Sequence, residues 1–297
     1  MKCEFEEKQY EELLNHELAG KSFFPVGQVL EYTLGIDAAL FTIDRKFWRL
    51  WQSGWKSFFP IFWKRGERPN PNLWNNAKRI LDDRMFPKFK CNLFIQYKVP
   101  EYIYRRNSKE FKKKIWMNPY FRYDIEQNQW DILNRLEQKV APNALVIYAC
   151  PAFHKVDDLW DFRDKLIQKS NFVQPHILRN HSRYTFAKSG NYGIPCSEPT
   201  KIESTDLFKE IDRLWERETE FNTNTEYIYD LARKTQEVMQ DTENEYNRVF
   251  NSIIEYANSF EQKLEKSLVK IISFFFIMNT SWNVGLDIEK EESIIFT

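Results

Sequence analysis

A chain of 297 residues with 42% apolar and 29% charged content can bury a real core as one large domain or two modest ones. Its 43 Lys and Arg balance 43 Asp and Glu, which excludes a global basic surface for nucleic acid and leaves any such surface local. Aromatic content is high at 16% and glycines number only 8, so long regular elements are expected over a loop-rich scaffold.

In chain order, Tyr10, Leu13, Leu14 and Glu17 fall on one face at helical spacing, predicting a helix over 4–18 that Ala19-Gly20 stops. Residues 29–34 and 37–43 are short apolar runs, the second opened by Asp37. An aromatic and basic insertion follows at about 44–90, with Phe47-Trp48-Arg49 and Phe62-Trp63-Lys64-Arg65 as its densest parts. The run Asn92 to Val99 reads as a strand, broken by Pro100, and beyond it Arg105-Arg106 and Lys112-Lys113-Lys114 are the densest basic cluster. A helix over 125–140, a buried strand over 144–150 and a helix over 157–170 are predicted next. Prolines and glycines make 171–202 look irregular. From 204 to 278 the pattern is helical, split at Asn222-Thr223-Asn224-Thr225, with a second helix of about fifty residues that needs outside support. The expected division is therefore 1–203 for an α/β domain and 204–297 for a helical region.

Cys3, Cys91, Cys150 and Cys196 show no paired spacing and no histidine at zinc-ligand distance. Met1 to Glu7 is charged and lacks a signal-peptide pattern, so reduced thiols and a cytoplasmic location are expected. The apolar window 268–278 is too short for a bilayer, which takes about twenty residues, so no membrane anchor is expected. It reads instead as a buried helix end. The C-terminal helices are expected to form an antiparallel pair whose uncovered apolar stripe docks on a second copy or a partner protein, Phe274-Phe275-Phe276 being an aggregation liability if exposed. His154, His176 and His181 read as structural residues.

Two short signals carry the chemistry: Gly35-Ile36-Asp37 and Gln96-Tyr97-Lys98. Side chains alternate along a strand, so Gln96 and Lys98 share a face while Tyr97 packs opposite. If the two strands lie side by side, Asp37, Gln96 and Lys98 meet at one end of a sheet. An anionic oxygen, an amide oxygen and a lysine there can hold a divalent cation and activate water against a phosphodiester.

In motif and element order, residues 4 to 155 resemble the PD-(D/E)xK nucleases, specifically the Gly-x-Asp … Gln-x-Lys branch of restriction-type and phage-defence enzymes. Gly35 and Asp37 match its first motif; Gln96 and Lys98 match its second. Gln96 stands where a second carboxylate is usual, and the insertion separates elements that are normally close. The resemblance implies an α/β fold with an αβββαβ core and a helical C-terminal region. It also implies Mg²⁺, with Mn²⁺ as the alternative, and hydrolysis of DNA as an effector of anti-phage defence. Asp37 and Gln96 are the expected metal ligands and Lys98 the catalytic cation. Glu31, just upstream of the first motif, or Glu17, on the first helix, is expected to complete the shell. Arg105, Arg106, Lys112 and Lys113 are the candidate phosphate-contacting rim. The alternative reading is a nuclease scaffold that has become an interaction protein working through its C-terminal helices.

Overall fold

The structure, a computed structural model, describes residues 1–25, 88–196, 199–218, 220–258 and 262–287. The segment 26–87 lies outside these, and with it Glu31, Asp37 and the aromatic insertion. Elements are numbered over the described residues. The chain is mixed α/β with two sheets, and its contacts divide it into two units. The first gathers Met1–Pro25, Lys90–Thr219 and Asn279–Leu286; the second holds the helices of 220–278.

The first unit opens with α1 (Glu7–Ala19), preceded by a reciprocal cap in which Glu6 and Gln9 each satisfy the other's backbone. Its main sheet has the order β1-β10-β2-β5-β6, with β1 at Phe23–Phe24, β2 at Phe89–Tyr97, β5 at Ala144–Pro151, β6 at Ser170–Val173 and β10 at Ser281–Leu286. β2 and β5 are parallel, with Gln96 opposite Tyr148, and α3 (Gln127–Val140) lies between them in sequence as a crossover helix. β6 returns antiparallel to β5, and β1 runs antiparallel to β10. The alternation of β2 puts Cys91, Leu93, Ile95 and Tyr97 into one core with Tyr10, Leu14 and Leu18 of α1 and Leu207, Ile211 and Leu214 of α5 (Leu207–Trp215).

Both sides of β2 are occupied, by β10 and β5. The neighbour of β2 on the side away from β5 is residues 281–286, contributed from far along the sequence. β10 fits there because Gly285 lets the ring of Trp215 approach: a Cβ at Gly285 would lie 2.0 Å from that ring.

The second sheet is antiparallel with the order β3-β4-β7-β8-β9: Glu101–Ile103, Tyr120–Asp124, Arg183–Ala187, Tyr192–Pro195 and Ile202–Glu203. Its small core stacks Trp116 on Tyr120 at 5.3 Å and on Tyr192 at 5.5 Å, and Trp116 Nε1 donates to Thr185 Oγ1 at 2.9 Å. Much of the stretch expected to be irregular is therefore sheet, with Gly193 and Pro195 inside β8. The helix expected over 157–170 stops early: α4 covers Val156–Asp161, and Ser170 already belongs to β6. A four-residue helix, α2 (Lys109–Lys112), joins β3 to β4.

In the second unit the expected fifty-residue helix is three: α6 (Asn224–Gln240), α7 (Glu245–Ala257) and α8 (Lys263–Met278). Thr223 caps α6 through Glu226 N, as the Asn-Thr cluster suggested. The break after Gln240 follows from polar side chains that prefer to bond locally: Thr242 Oγ1 donates to Val238 O, and Asn244 Oδ1 accepts from Asn247 N to start α7. Shorter helices can bury their stripes on one another. Leu231, Val238, Phe250 and Ile253 are buried, as are Phe274, Phe275, Ile277 and Met278 of α8. The exposure that would have demanded a second copy is absent at these residues. Among the described residues no helix is long and apolar enough to cross a membrane. The units do not follow the expected 1–203 and 204–297 division, since α5 and β10 both belong to the first.

Candidate functional site

The carboxyl ends of neighbouring parallel strands are where open α/β sheets most often place ligands. Here that end of β2 carries Gln96 and, one residue past the strand, Lys98, whose amide donates to Ala149 O at 2.9 Å and continues the ladder. Lys98 turns its ammonium inward, where Nζ donates to Gln129 Oε1 at 3.0 Å in the first turn of α3. Glu126 caps the same helix, accepting from Asn128 N at 3.0 Å. Burial pushes the Lys98 ammonium below its ordinary pKa, opposed mainly by the nearby carboxyl of Glu7 and also by Glu126.

Glu7, in the first turn of α1, is the acid that Lys98 feels most. Its carboxyl is raised by burial from 4.5 to about 7, with Lys98 pulling the other way and Glu11 adding to the rise. Asn279 Nδ2 donates to Glu7 Oε1 at 2.6 Å, tying α1 to the residues that enter β10. Next in sequence, Thr280 Oγ1 donates to Gln96 Oε1 at 3.1 Å, and the Gln96 amide group donates to Tyr97 O at 3.2 Å. Gln96 is 1% exposed, so both ends of its amide are committed inside the fold. The result is a polar cluster, with an acid near neutrality and a desolvated lysine at the carboxyl end of β2.

The expected residues fare differently. Gln96 lies in β2 and Lys98 one residue past it; the Gln96 amide bonds Thr280 and Tyr97, and the Lys98 ammonium bonds Gln129. Asp37 and Glu31 lie outside the described residues. Glu17 does not join the cluster: its Oε2 accepts from Ile167 N at 3.0 Å, and Leu166 N bonds the same carboxylate, so it closes the turn after α4. Glu7 was missed from sequence. Its helical phase was legible, but its neighbours Lys98, just past β2, and Asn279, just before β10, are contributed by remote segments. His176 has the carboxylate partner that spacing did not reveal, Glu137 at 2.6 Å, on the surface and away from these residues in sequence and sheet.

Arg105, Arg106, Lys112 and Lys113 are all exposed on the connection between β3 and β4. Arg105 lies over the ring of exposed Tyr104 at 5.6 Å and bonds its hydroxyl at 3.2 Å. Of the four, Arg105 lines a groove of about 540 Å³ that runs past Tyr102, Arg122 and Arg183. Arg122 and Arg183 are neutralised within the fold by Glu101 at 2.8 Å and Asp124 at 2.7 Å. The free charge of this rim therefore rests on the connection itself.

A divalent cation needs several hard oxygen donors. The described residues offer the Glu7 carboxylate and a Gln96 oxygen already used by Thr280, and they contain no group of three or more His, Cys, Asp or Glu able to hold a metal. By themselves they do not fit Mg²⁺ or Mn²⁺. Comparison with known proteins adds no relative: no family model, curated protein or solved structure matches the chain.

Proposed function

We propose that the chain is a nuclease that hydrolyses phosphodiester bonds, DNA in the first instance, at the carboxyl end of β2. The setting proposed is anti-phage defence, as the motif resemblance implies. The observation carrying this reading is the inward-turned, desolvated Lys98, held by Gln129 just past the strand that presents Gln96 and within the electrostatic reach of Glu7. A lysine held by Gln129 can place its charge against a phosphate oxygen as negative charge builds there. Glu7, with a carboxyl near neutral pH, can accept or return a proton at its Oε2 while Oε1 stays held by Asn279. Mg²⁺, with Asp37 as its main proposed ligand, would polarise the phosphate and acidify water.

Plasmid and RNA cleavage assays with Mg²⁺ or Mn²⁺ test the reading, with Lys98→Ala and Asp37→Ala in parallel. Cleavage by the wild-type chain that falls about 100-fold or more in each variant is expected. Equal activity in Lys98→Ala would remove the assignment. One observation favours a second reading, an interaction or regulatory protein on the same scaffold: both ends of the Gln96 amide are already satisfied internally. In that case no metal condition gives cleavage, and α6, α7 and α8 are the proposed contact surface for a second copy or another protein.

A further inference from the structure

The second unit carries a basic groove of its own. It lies between α6 and α8, with a volume of about 520 Å³. Lys263, Lys266 and Lys270 stand at i, i+3 and i+7 on α8, so their side chains line one face of the helix. The opposite side of α8 is apolar and buried, which leaves the lysines no route to a different neighbour. From α6, Tyr229, Arg233 and Gln236 face them.

Like charges three or four residues apart on a helix repel and cost stability unless something offsets them. Here the fold offsets them poorly. The acid that lines the groove, Asp230, is already held by Arg233 at 2.6 Å and Lys234 at 2.7 Å. Arg233 itself bridges Asp230 and Glu237. Lys270 Nζ donates to the neutral Gln236 Oε1 at 2.7 Å, and Lys263 lies over the ring of Tyr229 at 4.2 Å. Neither partner is an anion. Among the described residues Lys263, Lys266 and Lys270 form no ion pair. Lys270 is held below its ordinary pKa by burial and by the charge of Lys266, as expected for a cation crowded by its own kind.

We propose that this groove is a binding site for phosphate groups, its three lysines receiving the oxygens of a phosphorylated ligand. Lysine ammonium groups on flexible stems meet phosphate as point charges, and a concave surface with an aromatic ring on one wall suits a phosphate joined to an organic group. The phosphate can come from a free polyphosphate or nucleotide, or from a nucleic-acid backbone. The site does not depend on cleavage chemistry in the first unit.

Isothermal titration with inorganic pyrophosphate and, separately, a short single-stranded DNA oligonucleotide tests it, in low salt with EDTA so that cleavage cannot interfere. The Lys263→Gln, Lys266→Gln, Lys270→Gln triple variant is expected to lose about tenfold or more in affinity for whichever probe binds, with a smaller salt dependence. The matching triple arginine variant keeps the charge and is expected to retain binding, which separates charge loss from damage to the helix. Pyrophosphate binding lost in the glutamine variant assigns a free phosphate ligand. Oligonucleotide binding lost without pyrophosphate binding assigns a nucleic-acid backbone. Binding of neither probe by the wild type, or equal binding by the glutamine variant, overturns the site.

Discussion

Glu7 and Lys98 have environments that move both toward neutrality, one from below and one from above. For Glu7 the sign is set by a folded value raised to about 7 over 4.5. Between those values the folded chain holds more protons than the unfolded one, so its contribution is full below pH 4.5 and is lost as pH rises through about 7. Urea titrations across that window should show stability falling with pH for the wild type and a flatter profile for Glu7→Gln; matching profiles would show that Glu7 is not held as described. Lys98 has the opposite sense: its depressed value makes stability rise with pH below its ordinary 10.5. The packing of Tyr97 into the core with α1 was legible because strand alternation is a local rule. Glu7 was not, since its partners Lys98 and Asn279 reach it only through the fold.

Among elements, the parallel pair β2 and β5 with α3 between them was the most readable part, because each is a long apolar or amphipathic run of one period. The second sheet was not, although Arg183-Tyr184-Thr185-Phe186 alternates as a strand should. Its strands are short and sit among Gly190, Gly193, Pro195 and Pro199, whose turn signals outweighed the alternation. The long C-terminal helix failed for the reverse reason: Asp241 to Asn244 contain no Gly or Pro, and their side chains end the helix by bonding to nearby backbone. The close seat of β10 is open to direct test. Gly285→Ala would drive a methyl into the Trp215 ring, which stacks on Phe23 at 5.3 Å. Overpacking of this kind costs about 1–3 kcal/mol, so a shift of the urea midpoint to lower concentration is expected. An unchanged midpoint would mean that β10 does not sit against Trp215.

At the scale of the molecule, the first unit is discontinuous in sequence: residues from both ends of the described chain meet in one sheet. Truncation after Met278 removes β10 together with Asn279 and Thr280, the groups that hold Glu7 and Gln96. That variant is expected to lose cooperative unfolding of the first unit, seen as a broadened thermal transition with exposed apolar surface by dye binding. A sharp wild-type transition would mean that the sheet stands without its second strand. For the same reason, deleting the C-terminal region to test partner binding would confound two effects, and substitutions within α6 or α8 are the cleaner tool.

The position of β10 also orders events during synthesis. β2 can pair with β5 once residue 151 has been made, yet its other edge stays unpaired until residue 286 follows. At about 5–20 residues per second, that is a wait of roughly 7–27 seconds with an apolar strand edge open. The nascent chain would be a natural client for chaperones during this interval, and a ribosome stalled short of β10 would release a product with Glu7 and Gln96 untethered. Placing the tether at residues 279–286, far behind β2 in the chain, makes assembly of the polar cluster depend on translation having reached that point.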